Sequence, residues 1–254
     1  MKGVNSNILR VNLTTGKLTV QKISDDHYRR YLGGRGFIAH TLLTEVPKGA
    51  DPFGPENRLV FALGTITGHP LAGSGRNSVG CKSPLSGGYG ESEAGGFWGA
   101  ELKKAGFEAV VIEGTAPTPV YLWINNGQAE LRPADHLWGR ETADTDSAIR
   151  EELGDKRIRT AVIGPAGEKL VRFACILNDI THAAGRTGMG AVMGSKKLKA
   201  IAVRGGHLPE AADQEEIRTL NRWMLQNYKE LSKHWRYGTG SDMRSYEADG
   251  NLPV

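Results

Sequence analysis

GRNSVG (75–80) and GRTGMG (185–190) share the pattern Gly-Arg-x-x-apolar-Gly, and each lies in a long glycine-rich stretch. Their similarity predicts an internal duplication, with halves at about 1–115 and 116–209. Such a duplication would place both loops on one side of the domain, related by a pseudo-twofold axis. A chance similarity between two glycine-rich loops is the alternative interpretation.

The pattern of apolar residues around these loops predicts an α+β fold, because period-two and period-3.6 segments are mixed along the chain. We expect helices at 25–45 (interrupted at 33–36), 97–106 and 141–153, and strands at 9–20 (a hairpin), 58–65, 109–114, 119–124, 160–164, 170–177 and 199–205. The stretches 66–96 and 178–197 are expected to be irregular loops. A boundary is predicted near residue 210, after which an amphipathic helix begins, with Asp213 and Glu216 forming its capping box.

Composition limits the class of protein. The chain has 254 residues, a formal net charge of +4 and no apolar run approaching the roughly 18 residues of a membrane span. No secretory signal is recognisable at the N-terminus, so a cytoplasmic location is the default. Lysines and arginines are scattered, which disfavours a nucleic-acid binder. Cys81 and Cys175 lack the spacing of a zinc or iron–sulfur site.

Arg76 and Arg186 are the candidate phosphate ligands, because a guanidinium on a glycine-rich loop offers a planar fork of donors beside exposed backbone N–H groups. The alternative is that each arginine pairs with a local carboxylate. Neither loop has the P-loop or dinucleotide-binding spacing. Glu93 could ligate a hard cation such as Mg²⁺, whereas Glu91 is explained by its place before a helix.

Two histidines, His69 and His182, stand at matching places before the two patterns. Neither has a serine, cysteine or acid at a spacing that indicates a catalytic triad. We interpret both as loop structure or ligand contacts. The sequence predicts no catalytic residue in this chain.

Five segments together resemble the N-terminal part of the tungsten-dependent aldehyde:ferredoxin oxidoreductase family. They are GTITG, AGSGRNSVGCKSPLSGG, EAGGFWGAELKKAGFEAVVIEG, IGPAGEKLVRFACILND and HAAGRTGMGAVMGSKKLKAIAV. The resemblance extends from about residue 7 to 207, and the tail as far as GNLPV (250–254) resembles the start of the helical region that follows. It implies a duplicated, two-lobed α+β domain that forms the base for a tungsten (or molybdenum) bis-pterin cofactor.

The resemblance also implies specific site residues. In this family Mg²⁺ joins the two pterin phosphates, and the protein ligands would here be Glu93 and the backbone carbonyl of Ala183. The family commonly has Asn at the position of Glu93 and Arg at the position of His182. The complete set of cofactor-binding candidates is Arg76, Glu93, Ala94, Gly95, Gly96, His182, Ala183, Ala184, Gly185 and Arg186.

The family's iron–sulfur motif and substrate-side residues lie in later helical domains, beyond the region of resemblance. We therefore expect a 4Fe–4S cluster, and ferredoxin or another iron–sulfur electron carrier, to act through the remaining helical domains or a separate subunit. Residues 210–254 would be the start of such a domain, and a homodimer is a further expectation. The predicted function is one portion of an enzyme that oxidises aldehydes to carboxylic acids. Alternatives are the same portion of an aromatic acyl-thioester reductase, a non-catalytic phosphate-binding or assembly module, and a nucleic-acid binder.

Overall fold

A computed structural model describes residues 1–231 and 234–252. The chain divides into two compact units, of which the first comprises Met1–His69 and Gly73–Ala212. The second comprises Pro70–Ala72 and the residues from Asp213 onwards. Among the described residues, no helix is long and apolar enough to cross a membrane.

The first lobe is a six-stranded sheet with three helices. Its strands are β1 (Asn7–Asn12), β2 (Lys17–Lys22), β3 (Leu59–Leu63), β4 (Asn77–Lys82), β5 (Tyr89–Ala94) and β6 (Ala109–Glu113), and its helices are α1 (Asp25–Tyr31), α2 (Gly34–Glu45) and α3 (Trp98–Lys104). The strand order is β2-β1-β6-β3-β4-β5. The β1–β6 pair is parallel and the other pairs are antiparallel.

The second lobe repeats this arrangement. Its strands are β7 (Val120–Asn125), β8 (Gln128–Pro133), β9 (Arg159–Val162), β10 (Ile176–Asn178), β11 (His182–Ala184) and β12 (Leu198–Arg204), and its helices are α4 (Thr142–Leu153), α5 (Pro165–Glu168) and α6 (Met189–Ser195). Read from β8, the order is β8-β7-β12-β9-β10-β11. Adding six to each strand number of the first lobe gives this order, and β7–β12 is again the parallel pair. The predicted α+β duplication is confirmed.

The two lobes exchange helices. Helix α3 of the first lobe packs on β9 and β12, and α6 of the second lobe packs on β3, β4 and β5. Trp98 of α3 is fully buried, and its indole Nε1 donates a hydrogen bond of 3.0 Å to the carbonyl oxygen of Ile201 in β12. One apolar core therefore spans both sheets, and it includes Phe61, Trp98, Met189 and Ile201.

The predicted correspondence between the two Gly-Arg loops is wrong. Arg76 lies in the β3–β4 connection, whereas Arg186 lies between β11 and α6. Aligned by strand pairing, the second-lobe equivalent of Arg76 is Cys175, directly before β10. Counted from the end of β5, the first-lobe equivalent of Arg186 is Gly96. The predicted match between His69, which lies between β3 and β4, and His182, the first residue of β11, fails for the same reason.

The stretch 66–96 is not a continuous loop, because it contains β4 and β5. Strand β5 does alternate, with Glu91 and Glu93 more exposed than the residues between them, but its inward side chains are small. A Cβ on Gly90 would stand 3.0 Å from Met189 Cε, so the packing of α6 leaves no room for a large residue. Glu91 is consequently a strand residue, and its predicted role at a helix start is wrong.

The stretch 178–197 likewise contains β11 and α6, and the strand predicted at 170–177 is confined to Ile176–Asn178. Leu170 has a φ of 58°, and two turn hydrogen bonds follow, from Val171 N to Ala166 O and from Ala174 N to Val171 O. These turns prevent residues 170–175 from forming part of one extended strand with Ile176–Asn178. An apolar run alone does not distinguish such turns from a buried strand.

The second unit begins with α7 (Gln214–Leu231), followed by α8 (His234–Tyr237), a 3-10 turn (Gly238–Asp242) and α9 (Met243–Ala248). The backbone N–H of Glu216 donates a hydrogen bond of 2.8 Å to Asp213 Oδ1, which confirms that Asp213 caps α7. None of the residues of α7 is buried. Residues 232, 233, 253 and 254 of the predicted 210–254 segment lie outside the described residues.

Replacement of Trp98 by alanine should lower the free energy of unfolding by about 3–5 kcal/mol, because a large side chain shared by both lobes is lost. Trp223→Ala, at a tryptophan with 49% exposure in α7, is the control and should change it by about 0.5 kcal/mol at most. Urea unfolding monitored by circular dichroism measures both. Equal effects of the two substitutions would contradict the shared core.

Candidate functional site

The edges of the two sheets meet in a groove. Strands β5 and β11 are the last strands of their sheets, and they lie against each other. An edge strand presents backbone N–H and C=O groups that its own sheet leaves unpaired. The groove between them has a volume of about 560 Å³ and is lined by Arg35, Arg76, Glu91, Ser92, Glu93, Ala183, Gly185 and Arg186.

Three hydrogen bonds hold the second Gly-Arg loop on the first lobe, two of them to β5. The backbone N–H of Arg186 donates to Ser92 Oγ at 3.1 Å, and Thr187 Oγ1 donates to the carbonyl oxygen of Glu91 at 3.3 Å. Ser83 Oγ donates to the carbonyl oxygen of Thr187 at 2.8 Å. These bonds fix the backbone of the loop and leave the Arg186 side chain exposed. Among the described residues, the Arg186 guanidinium has neither a hydrogen bond nor an ion pair.

A glycine pair on the other side of the groove allows close contact with the second lobe. Cβ atoms on Gly95 and Gly96 would stand 3.0 Å from His182 Cδ2 and 3.2 Å from His182 Nδ1. Gly96 also has a φ of +85°, which L side chains rarely adopt. Asp179 Oδ2 accepts a hydrogen bond of 2.8 Å from the backbone N–H of Phe97 at the start of α3. The β10–β11 turn therefore rests directly on the glycine pair.

Three guanidinium groups and two carboxylates determine the charge of the groove. Glu93 Oε1 lies 3.1 Å from Arg35 Nη2, and Glu93 Oε2 lies 3.9 Å from Arg76 Nη1. Glu91 Oε1 lies 3.5 Å from Arg35 Nη2. The carboxylate of Glu91, followed by that of Glu93, raises the pKa of the Arg35 guanidinium. Both carboxylates act chiefly on Arg35, so Arg186 remains available to an anion.

A second cavity of about 480 Å³ adjoins the groove. It is lined by Gly73, Gly75, Arg76, Glu93, Gly95, Thr181, His182 and Ala183. Arg76, Glu93 and Ala183 line both cavities and so stand at their junction. Counted from the ends of β5 and β11, Glu93 and Ala183 are equivalent positions of the two lobes. The described residues contain no group of three or more His, Cys, Asp or Glu side chains that could hold a metal ion.

Most of the residues predicted for the site are brought together. Arg76, Glu93, Gly95, His182, Ala183, Gly185 and Arg186 all line one or both cavities. Ala94 and Ala184 are instead buried, with side chains in the shared core. Gly96 lies against the imidazole ring of His182 and lines neither cavity. The sequence interpretation missed Arg35 in the first turn of α2. The run GGRG (33–36) was its signal, because it is a further arginine between glycines.

Comparison with known proteins identifies the family. Residues 8–205 match the family described as aldehyde ferredoxin oxidoreductase, N-terminal domain. The chain belongs to the aldehyde ferredoxin oxidoreductase family. The resemblance carried by the sequence motifs is confirmed.

Members of the family are similar over most of this chain. The tungsten-containing aldehyde ferredoxin oxidoreductase of Pyrococcus abyssi is 46% identical over 229 residues, which are 90% of this chain and 38% of that protein. The aliphatic sulfonate oxidoreductase, WOR-like subunit, of Pyrococcus furiosus is 35% identical over 95% of this chain and 41% of its own length. The chain therefore corresponds to the N-terminal domain of the family and spans less than half the length of these relatives.

A solved structure has the same fold. It is the active site complex BamBC of benzoyl coenzyme A reductase in complex with 1,5-dienoyl-CoA. The similarity has a TM-score of 0.87 and 39% sequence identity, and it covers 90% of this chain and 35% of that one. The two-lobed domain is thus shared by family members whose names indicate different substrates.

Gly96→Ala should destabilise the protein more than Gly16→Ala. Both glycines have a positive φ, but a Cβ at Gly16 meets nothing within 4 Å, whereas one at Gly96 stands 3.0 Å from Asp179 Oδ2. Gly16→Ala should cost about 1 kcal/mol for backbone strain alone, and Gly96→Ala about 2–4 kcal/mol. Denaturant unfolding of both variants measures the difference. Equal losses would show that the contact between the lobes at Gly96 is not tight.

Proposed function

We propose that this chain is the cofactor-binding portion of a tungsten (or molybdenum) bis-pterin oxidoreductase, and that the groove holds the phosphates of the cofactor. The observation that carries the proposal is the convergence of Arg76 and Arg186 on one groove from opposite lobes. One guanidinium group can donate two parallel hydrogen bonds to the oxygens of a phosphate, and glycine-rich loops offer further backbone N–H donors. When bound, the cofactor supplies two-electron redox chemistry at its metal.

The residues of the groove fit a ligand with two phosphates. Arg186 is exposed, Arg76 is 67% exposed, and the nearest carboxylate oxygen to Arg76 is at 3.9 Å, which leaves both side chains able to reorient. Gly95 lines one cavity and Gly185 the other, and neither adds a side chain there, so a ligand can approach the backbone. In this proposal the chain binds and orients the cofactor and contributes no catalytic residue.

We further propose that Mg²⁺ lies between the phosphates, with a Glu93 oxygen and the carbonyl oxygen of Ala183 as protein ligands. Both residues stand at the junction of the two cavities, one from each edge strand. Carboxylate and carbonyl oxygens are ligands that this hard cation prefers. Arg35, at 3.1 Å from Glu93, would offset the repulsion between Glu93 and the phosphates.

The activity of the whole enzyme is also a proposal. We infer that it oxidises an aldehyde to a carboxylic acid and passes electrons to ferredoxin through a 4Fe–4S cluster outside this chain. The cluster would be carried by further helical domains or by a separate subunit. A homodimer and a cytoplasmic location complete the proposal. The name of the P. abyssi relative, tungsten-containing aldehyde ferredoxin oxidoreductase, supports an aldehyde as the substrate and ferredoxin as the electron acceptor.

A second candidate is the equivalent portion of an aromatic acyl-thioester reductase. It is favoured by the similarity to the BamBC complex over 90% of this chain. Assays of the complete enzyme separate the two candidates. Reduction of a viologen dye with an aldehyde as the electron donor supports the first, and reduction of benzoyl-CoA with no aldehyde activity supports the second.

Arg76→Ala and Arg186→Ala should each weaken cofactor retention about 10- to 100-fold, because one charge-assisted contact to phosphate is lost. Tungsten, molybdenum and pterin per mole of the complete enzyme are the quantities to measure. Arg157→Ala is the matched control, since Arg157 is 76% exposed and, among the described residues, pairs only with Asp155 in its own turn. Unchanged metal and pterin contents in both groove variants would refute the phosphate assignment.

Glu93→Ala should lower the magnesium bound per pterin pair about tenfold, whereas Glu93→Gln should retain most of it, since an amide oxygen can still ligate the ion. Glu130→Ala, at an exposed carboxylate in β8, should have no effect. Elemental analysis of the cofactor-loaded enzyme measures magnesium in each variant. Full magnesium in Glu93→Ala would exclude Glu93 as a ligand.

A further inference from the structure

The peptide groups on both sides of Gly96 are held by two adjacent side chains of the second lobe. Asn178, the last residue of β10, donates a hydrogen bond of 3.1 Å from Nδ2 to the carbonyl oxygen of Gly95. Oδ2 of Asp179, the next residue, accepts a hydrogen bond of 2.8 Å from the backbone N–H of Phe97. These two side chains form the Gly96 clamp. Because φ and ψ rotate the two flanking peptide planes relative to each other, the clamp fixes Gly96 at its φ of +85°.

The clamp is buried and has few other partners. Asn178 is 1% exposed and Asp179 is 8% exposed. The second proton of the Asn178 amide is donated to Asn77 Oδ1 at 2.7 Å, so both protons of this amide are used. The other oxygen of Asp179, Oδ1, accepts no hydrogen bond within the described part of the chain and lies 3.9 Å from Arg159 Nη1. The hydrogen bond of this carboxylate is therefore directed at the first lobe.

The turn that carries the clamp has a strained backbone. Asp179 and Ile180 have φ of 49° and 55°, in the left-handed region that non-glycine residues, and β-branched ones above all, adopt rarely. Such conformations persist where the surrounding structure holds them, and they are concentrated at functional sites. Here the backbone N–H of Asp179 donates to the carbonyl oxygen of Thr160 at 2.9 Å. The strained turn therefore joins β9 of its own lobe to the glycine pair of the other lobe.

The clamped segment and the clamping turn form two walls of one cavity. Gly95, on the clamped side, lines the second cavity of about 480 Å³, as do Thr181 and His182, which follow the clamp in the chain. A Cβ on Gly95 would stand 3.0 Å from His182 Cδ2, so the imidazole ring lies against the clamped segment. Asn178 and Asp179 line neither the groove nor the second cavity. They can therefore act on a ligand there only through the residues that they hold.

We propose that Asn178 and Asp179 are positioning residues, which hold Gly95 and His182 in the geometry that the cofactor of the proposed function requires. The inference rests on that proposed function, and it adds two residues that supply neither charge nor contact to the phosphates. Loosening the clamp changes the shape of the second cavity and removes no charge from the groove. Because small displacements of binding groups weaken binding even when every group is present, clamp variants that still fold should lose the cofactor.

Substitutions of Asp179 in the complete enzyme test the clamp. Asp179→Leu removes the acceptor for the Phe97 N–H at a similar side-chain volume, and it should lower the metal and pterin contents about tenfold. Asp179→Asn keeps an acceptor oxygen and should retain the cofactor within about twofold of the wild type. Ile149→Ala is the control, because Ile149 is fully buried in a core cluster of the second lobe that contains no clamp residue. It should lower the temperature of thermal unfolding without loss of cofactor.

Hydrogen exchange of the Phe97 amide gives a readout that does not depend on the cofactor. In the full chain, Asp179→Leu should speed the exchange of this N–H at least about tenfold relative to Asp179→Asn. Asn178→Ala removes the other half of the clamp and is the second variant, with the same expected loss of cofactor. Thermal unfolding shows which variants are folded.

The outcomes separate the clamp from the proposed function. Loss of cofactor in Asp179→Leu, with retention in Asp179→Asn and Ile149→Ala, supports the clamp whatever the arginine variants show. Full cofactor content in Asp179→Leu, an equal loss in either of the other two variants, or an unchanged exchange rate at Phe97 would overturn it, even if Arg76→Ala and Arg186→Ala lose the cofactor. Cofactor lost from Asp179→Leu but kept in both arginine variants refutes the phosphate assignment alone. A complete wild-type enzyme without metal or pterin would overturn both.

Discussion

The contact between two sheet edges, β5 and β11, is the constraint on which the site depends. An exposed edge strand invites pairing with another chain, and proteins usually cover it. Here each lobe covers the edge of the other. The Arg186 N–H donates to the hydroxyl of Ser92 and not to a backbone carbonyl of β5. The two edges thus lie side by side, linked through a side chain, and a groove remains between them.

Small residues make this contact geometrically possible. The exchanged helix α6 needs Gly90 in β5, and the β10–β11 turn needs Gly95 and Gly96. Gly188 has a φ of +82°, and a Cβ on it would stand 2.2 Å from the carbonyl oxygen of Arg172. Some glycines therefore permit the lobes to approach each other, whereas others, such as Gly16 and Gly127, occupy turns with a positive φ and meet nothing within 4 Å.

The sequence predicted the duplication from two loops that are not equivalent in the fold, and it predicted most residues of the groove but not Arg35. Apolar periodicity predicted the long elements, such as α4, because apolar and polar residues lie on different faces of these elements. It failed for β5 and β11, because the inward residues there are glycine, serine or alanine and give no hydrophobic alternation. It also failed for β4, where both faces are buried and only Val79 and Cys81 are apolar. Arg35 was missed because only the fold brings it to residues more than 50 positions away.

The two lobes share one fold, yet they contribute to the groove unequally. The first lobe supplies Arg76 from its β3–β4 connection, where the second lobe has Cys175. The second lobe supplies Arg186 after its edge strand, where the first lobe has Gly96. The first lobe also brings every carboxylate of the groove, Glu91 and Glu93, which bind Arg35 of the same lobe. In the proposed function, a ligand with two identical phosphates would therefore meet a neutralised end and, at the other end, the Arg186 guanidinium, which has no ion pair among the described residues. Because the electrostatic environment differs at these ends, the two halves of a symmetric cofactor would be held with different strength even though the scaffold around them is duplicated.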